Sequence, residues 1–255
     1  RRERDGYGLS GRWQWATGIM HADWVIPSAL EVTADGRPDP RWFALPVSQV
    51  KVEDTWYVDG LIGTGSNDVV IEDVFVPAER SVSITDLAHG NGPGAQLHEG
   101  PLYRTPMLPI LTCAATTPAL GQAKTAVRLF RENLTQRVLL ASGLKQAEKP
   151  AAQIRLARAE VEVREAELLI RDTVHDVCAR RNTATIVDRA RWATQLAIAV
   201  ERCRGVIQTV CEASGAHSHF QSNPLQRAWR DINTLSCHTV FDLDGRLEAF
   251  GRVLL

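Results

Sequence analysis

Three short segments of this 255-residue chain bring ligand-holding or proton-handling side chains to close spacing. The first is Gly11-Arg12-Trp13-Gln14-Trp15-Ala16-Thr17-Gly18, two indoles one residue apart followed by a hydroxyl and a glycine. Paired indoles offer a flat apolar wall to a planar ligand, and Thr17 offers a donor at its edge. A strand with one buried and one exposed indole makes the same pattern, so both readings stand. The second is Gly63-Thr64-Gly65-Ser66-Asn67-Asp68, a tight turn with several backbone donors able to face an anion or a ring carbonyl. It lacks the lysine of a P-loop and no helix follows it, so it is neither a nucleotide cradle nor a dinucleotide fingerprint. A plain connecting turn is the alternative.

The third segment runs from Pro224 to His238, where Arg227, Asp231, Thr234 and His238 fall on one face at helical spacing. Arg227 and Asp231 can pair at i,i+4. His238 at a helix C-terminus can titrate near neutral pH and serve as a general acid or base; a salt bridge with a capping histidine is the structural alternative. His217 and His219 alternate in a loop and are read as neighbours of a ligand entrance. No carboxylate cluster or cysteine pair completes a metal site around them. His21, His89 and His98 are expected in exposed loops and His175 on a helix. No GxSxG elbow or HExxH is present.

The elements that must position these groups differ between the two halves. Residues 1 to about 100 hold most of the glycines and five of the seven tryptophans. Trp24–Ile26, Trp42–Val47, Trp56–Val58 and Val69–Val76 read as strands, broken at Asp35-Gly36-Arg37-Pro38, Asp59-Gly60 and Gly63-Thr64-Gly65. The expected class is α+β: a small β-barrel or sandwich over 1–100, then an antiparallel four-helix bundle over 101–255. His89–Pro109 reads as a loop. Helices are expected near 107–141, 148–181, 185–213 and 223–239, with Ile154, Ala157, Val161 and Leu168 at helical spacing. Glu160/Arg164 and Glu167/Arg171 are favourable i,i+4 pairs. Pro118 is expected to break the first helix, and Ser222 or Asn223 to cap the last.

Composition narrows the classes. With 29 basic and 30 acidic side chains, bulk electrostatic binding to nucleic acid is not expected. No apolar run approaches the ~20 residues of a bilayer span. Five scattered cysteines without a CxxC pair read as reduced core fillers of a cytoplasmic protein.

The three segments, in their order, carry a resemblance. Gly8–Trp13 with Ala16-Thr17-Gly18 and His21–Val25 resembles the flavin-facing strand of the acyl-CoA dehydrogenase superfamily. Gly63–Val70 through Asp73–Pro77 is similar to its second β-domain signature. Pro224–Arg227 with Trp229–Ile232 resembles the late helix of one branch, the two-component flavin-dependent monooxygenases that hydroxylate phenols and aromatic polyketides. Phe241–Asp244 through Gly251–Val253 is similar to polyketide-tailoring members.

That resemblance implies an oxygenase component supplied with reduced flavin (FMNH2 or FADH2) by a separate NAD(P)H-flavin reductase. With O2 it would transfer one oxygen atom to a small aromatic substrate, in a homotetramer or homodimer without nucleic acid, membrane or metal. Trp15 and Thr17 match positions flanking the flavin's reactive edge, and Gly65 and Ser66 match the turn beside the ring. His238 matches a histidine that assists oxygen activation or substrate deprotonation, and Trp13, His217 and His219 are the expected substrate neighbours. Trp15, Thr17 and His238 are expected to converge. A helical domain of roughly a hundred residues precedes the barrel in the superfamily; the chain opens at the barrel, and whether by trimming or by nature stays open. Two other readings compete. An FAD-containing acyl-CoA dehydrogenase needs a carboxylate base, for which Glu248 is the candidate; a non-catalytic oligomerisation module needs none.

Overall fold

A computed structural model describes residues 1–32, 36–138, 143 and 145–255. The chain divides into two compact units, Arg1–Leu108 and Pro109–Leu255. The first carries strands and the second helices, an α+β composition.

The strands of the first unit are β1 (Arg2–Glu3), β2 (Gly6–Trp13), β3 (Trp24–Val25), β4 (Ser28–Val32), β5 (Pro38–Phe43), β6 (Leu45–Pro46), β7 (Lys51–Glu53), β8 (Asp68–Pro77) and β9 (Ser81–Ser83). They form three small antiparallel sheets, ordered β1-β2-β8-β7, β3-β6 and β4-β5-β9. Side chains alternate along β2 and β8, so Tyr7, Leu9, Val69, Ile71 and Val76 share one apolar core with Phe43 and Leu45. Between Leu9↔Val74 and Gly11↔Ile71 the register shifts, and Asp73 adopts φ 49. The Asp73 N–H, displaced from the ladder, donates to Ser10 Oγ at 2.9 Å.

Two strand expectations need correction. Trp42–Val47 is split between β5 and β6. Trp56–Val58 is not a strand, because its N–H groups are spent elsewhere. Thr55 and Trp56 N–H both donate to Asn67 Oδ1 at 2.9 Å, and Tyr57 N–H donates to Thr55 O. The expected turn at Asp35 lies outside the described residues. The segment read as a loop after His89 contains helical turns: α1 (Ile84–Ala88) runs up to it, and α2 (Gly94–Leu97) lies within it.

The second unit is built on α3 (Met107–Gln136), α4 (Pro150–Ala179), α5 (Ile186–Ser214), α6 (Pro224–Ser236) and α7 (Leu243–Leu254), the first beginning just before the unit boundary. Residues 139–141, expected at the end of α3, lie outside the described residues. Polar pairs between helices fix their directions. Lys124 and Arg131 of α3 meet Glu167 and Glu160 of α4. Glu165 and Asp176 of α4 meet Arg202 and Arg191 of α5. Arg204 and Cys211 of α5 meet Asn233 and the Leu225 carbonyl of α6. In each set one number rises as the other falls, so α3 with α4, α4 with α5 and α5 with α6 run antiparallel.

Pro118 does not break α3. Its missing N–H leaves the Ala114 carbonyl without the usual i+4 donor, and Thr117 Oγ1 donates to that carbonyl at 2.8 Å instead. Asn223 caps α6, accepting from Leu225 N–H at 3.0 Å, with Pro224 in the first turn. The face of α4 marked by Ile154, Val161 and Leu168 points outward, 67%, 58% and 49% exposed. The buried stripe is instead Ala152, Ala159, Val163, Ala166 and Ile170. Small residues let neighbouring helices approach closely, and a hydropathy pattern underweights them. α7 was not foreseen, although Asp242 accepts from Gly245 N–H at its start and Leu243, Leu247, Phe250 and Leu254 follow at helical spacing.

Glu160 pairs with Arg131 on α3 at 3.3 Å. Glu167 does pair with Arg171, and also with Lys124 and Arg164, at 2.9, 3.0 and 3.3 Å. Hydrogen bonds from Lys124 and Arg171 hold its carboxyl down at about 2, from an ordinary 4.5. A depressed carboxylate pKa contributes stability that is present above about 4.5 and lost as pH falls toward 2. Glu167→Gln is expected to melt below the wild type at pH 7, and the gap to close between pH 5 and pH 2. Thermal melts followed by circular dichroism across that range check this.

Candidate functional site

The first two sequence segments, 49 residues apart, are laced together in the first unit. Ala16 N–H donates to Asn67 O and Gly18 N–H to Thr64 O, both at 2.9 Å. Between these bonds Thr17 Oγ1 lies 2.9 Å from Ser66 Oγ. Ser66 Oγ in turn lies 2.7 Å from Thr64 Oγ1, which donates to the Leu61 carbonyl at 2.9 Å. Thr17 is exposed, whereas Ser66 behind it is 3% exposed. The turn is a short 3-10 segment, Ile62–Thr64, between two left-handed residues, Leu61 at φ 55 and Gly65 at φ 50. A Cβ at Gly65 would come within 3.1 Å of Met20 Cγ. The N–H groups of Thr64, Gly65 and Asn67 are bonded to carbonyls within the turn, so these three are not free to cradle an anion. What the turn presents is the hydroxyl chain.

The two indoles are held differently. Trp13 is half-buried on the β-sheet core and donates from Nε1 to Ser28 O at 2.6 Å. Its ring lies back over Gly11, where a Cβ would meet the indole at 2.9 Å. Trp15 is 66% exposed and left-handed, at φ 62. Its N–H bonds to the carboxylate of Asp68, which Arg12 grips at 2.8–2.9 Å. The Arg12 bonds, joined by one from Thr55, hold the Asp68 carboxyl below its ordinary range against the opposing effect of burial. Trp13, Trp15 and Trp24, with Thr17 and the chain from Val25 to Ser28, line a cavity of about 440 Å³. Its walls combine the three indoles with aliphatic side chains such as Ile19, Val25 and Ile26, and Thr17 adds a hydroxyl, a mixture found in small-molecule sites.

In the helical unit, α6 ends at Ser236 with Cys237 as its C-cap. His238 therefore lies beyond the helix, and the expected shared face with Arg227, Asp231 and Thr234 does not extend to it. Its backbone is extended and its Nδ1 accepts from Val240 N–H at 3.2 Å, capping the next short turn. The ring is exposed and tilted against Phe241 at 6.1 Å. Asp231 accepts from Gln122 of α3 at 3.5 Å, and Arg230 donates to Gln226 at 2.9 Å. His217 and His219 sit in a 3-10 turn, Gly215–His219. His217 Nδ1 lies 3.0 Å from Asn223 Nδ2, and its ring borders a cavity of about 310 Å³ with Phe130, Leu134, Arg137 and Ser214. His219 is exposed. Among the described residues no three His, Cys, Asp or Glu side chains gather as metal ligands, and no helix is long and apolar enough to cross a membrane.

Residues 113–243, just over half of the chain, match the family acyl-CoA dehydrogenase, C-terminal domain. The chain belongs to that family. It is also similar to a pigment production hydroxylase of Rhodococcus sp., 33% identical over 98% of this chain and 65% of the relative. The oxygenase component of an FADH2-dependent resorcinol hydroxylase of Rhizobium sp. is 34% identical over 98% of this chain and 64% of the relative. Among solved structures, that of 3-HSA hydroxylase from Rhodococcus sp. RHA1 superposes with a TM-score of 0.91 at 31% identity, covering 99% of this chain and 66% of the other. The chain thus spans just under two thirds of the length of these relatives.

For this acyl-CoA dehydrogenase-family chain, the sequence places Asn67 and Asp68 in the tight turn but does not single them out as the supports of the site. The signal was available: two polar residues open a strand whose neighbours are buried, and buried polar groups need partners. Thr64 likewise reads in the sequence as one residue of that turn. Gly11 has a role that the sequence pattern does not single out, and it is testable. Gly11→Ala would force the Trp13 indole off its seat and off Ser28 O. Overpacking of that kind costs about 1–3 kcal/mol, and urea denaturation should show a loss in that range with a changed near-ultraviolet tryptophan signal.

Proposed function

We propose that this acyl-CoA dehydrogenase-family chain acts as the oxygenase component of a two-component flavin-dependent monooxygenase, hydroxylating a small aromatic or polyketide substrate with reduced FMN or FAD and O2. One observation carries the reading: an exposed hydroxyl, Thr17, at the rim of a cavity walled by three indoles. The cavity volume of about 440 Å³ falls within the ~300–1,000 Å³ of small-molecule sites. A planar, mostly apolar ring with polar atoms along one edge fits those walls and that hydroxyl. The names of the relatives, a hydroxylase and an oxygenase component, point the same way.

When bound, the reduced flavin supplies the electrons and the place where O2 is activated. The chain's own residues do the rest. Trp13 and Trp15 give apolar walls that exclude water. Thr17 meets the ring edge, Ser66 orients Thr17, and Gly65 keeps the turn in its left-handed bend. His238 handles a proton at the substrate or oxygen. Because Nδ1 accepts from Val240 N–H, the neutral ring carries its proton on Nε2 and offers it outward as a donor. His217 and His219 neighbour the substrate.

In this reading the β-unit is a small barrel, residues 1–100, and residues 101–255 are a four-helix bundle. The outward stripe Ile154, Val161 and Leu168 on α4 supports self-association to a homodimer or homotetramer. A separate NAD(P)H-flavin reductase is the partner, and five free cysteines agree with a cytoplasmic setting. The dehydrogenase alternative is weakened at Glu248, which is 70% exposed and ion-paired with Arg252 at 2.5 Å. That is a poor setting for a base poised in a dry pocket.

The test supplies the chain with NADH, a flavin reductase, FMN or FAD, O2 and resorcinol as a probe phenol. Hydroxylated product that depends on flavin is expected. His238→Ala should lower its rate by about 100-fold while leaving affinity for reduced flavin unchanged. Absence of product from any phenol, with oxidation of an acyl-CoA instead, would replace the oxygenase reading by the dehydrogenase one.

A further inference from the structure

The placement of the Trp15 wall begins outside the cavity. Its N–H bonds to the carboxylate of Asp68, yet neither Asp68 nor Arg12, which grips it, borders the cavity. Arg12 Nε and Nη2 both donate to Asp68 Oδ2, at 2.9 and 2.8 Å, and Nη1 pairs with Glu53 at 3.0 Å. Arg12 thus ties β2 to β8 and β7, with its own side chain half exposed. Asp68 is buried, and a buried carboxylate keeps its charge only when partnered. A charged acceptor in turn bonds an N–H more strongly than a neutral one. The left-handed backbone of Trp15, at φ 62, costs about as much as such a bond returns. With the two so closely matched, a weaker Asp68 bond lets Trp15 relax toward the extended region and swings its indole off the wall.

We infer that Arg12 is a positioning residue for the cavity: by holding the Asp68 carboxylate against the Trp15 N–H it keeps the indole in place, and so sets how tightly a planar ring is gripped. For the ring ligand the inference rests on the flavin reading above; for the placement of Trp15 it stands without it. Arg12 acts through Asp68 and then through Trp15, and touches no ligand itself. Glu53, its other partner, has no bond to Trp15 and serves as the control.

Two measurements on the full chain test this. The first follows the backbone amide of Trp15 by NMR in protein carrying isotope-labelled tryptophan, the signal being assigned by its loss in Trp15→Phe. In Arg12→Gln that signal should move and exchange faster with solvent, whereas in Glu53→Gln it should stay as in the wild type. The second is an anaerobic titration with reduced FMN. Arg12→Gln should bind about tenfold more weakly than the wild type, and Glu53→Gln as the wild type does. Asp68→Asn should weaken binding at least as much. Adding Arg12→Gln to Asp68→Asn should weaken it no further, because the two residues act along one route.

A purely structural ion pair would lower the melting temperature of Arg12→Gln and leave both the Trp15 signal and the FMN affinity alone. That result overturns the inference while the flavin reading survives, and so do losses that multiply in the double variant. A wild type that binds no flavin overturns the flavin reading, and the amide signal then decides the inference by itself. Arg12 is exposed, so the contrast between Arg12→Gln and Glu53→Gln carries the test if Asp68→Asn fails to fold.

Discussion

The first unit is organised around a backbone conformation that its residue would not choose. Trp15 stands at φ 62, a left-handed setting that costs a side chain with a Cβ about 1–2 kcal/mol. It is retained because its N–H bonds to Asp68, a carboxylate that is 5% exposed and gripped by Arg12. On either side, Ala16 and Gly18 are tied to Asn67 and Thr64. This kink ends the course of β2, turns the Trp15 indole out of the sheet and sets Thr17 against Ser66. Without it the alternation of the strand would continue, and Trp13, Trp15 and Thr17 would all lie on one face. The strain is local, and the polar contacts that sustain it come from the start of β8. The two signature segments are thus one object. Asn67 extends its reach, since its side-chain oxygen also gathers the N–H groups of Thr55 and Trp56.

The helical unit solves a different problem, how to pack long helices closely while keeping their polar atoms satisfied. α3 and α4 bury alanines where they meet their neighbours: Ala119, Ala123 and Ala126 on one, Ala152, Ala159 and Ala166 on the other. The pairs Lys124–Glu167 and Arg131–Glu160 join the same two helices. Trp192, fully buried on α5, donates from its indole to Asp176 at 2.7 Å, and Arg191 holds the same carboxylate. Three of the five cysteines are buried, and burial pushes Cys113 and Cys211 up to about 11 and Cys203 to about 12. Such thiols stay protonated and act as small apolar fillers.

Much of this was legible. Long periodic segments with Asn223-Pro224 or Thr185-x-x-Asp188 at their starts announce helices, because capping is local chemistry. The buried side of α4 was not legible from hydropathy. Ile154, Val161 and Leu168 are its most apolar marks, yet alanine spacing decides which side is packed. Trp56–Val58 has strand-like residues, but Asn67, eleven residues away, takes the N–H a ladder would need. Pro118 looked like a break because the compensating donor is the preceding Thr117, a pairing that pattern rules do not weigh. At the site, residue types drew attention to Trp15, Thr17 and Ser66. The reason they matter together, one left-handed residue and one chain of hydroxyls, lies in tertiary contacts 49 residues apart.

His238 shows how a small shift at a helix end alters chemistry. Inside α6 its ring would lie near the helix's terminal carbonyls, where protonation is favoured. One residue past the C-cap, the chain turns extended, and the ring folds back to accept from Val240 N–H. An accepting Nδ1 assigns the neutral ring's proton to Nε2. For the outward nitrogen to act as a base, the proton must move to Nδ1 and the Val240 bond must break. Donation from Nε2 demands neither change. The local geometry therefore leaves the neutral His238 ring set to donate from Nε2 rather than to accept there.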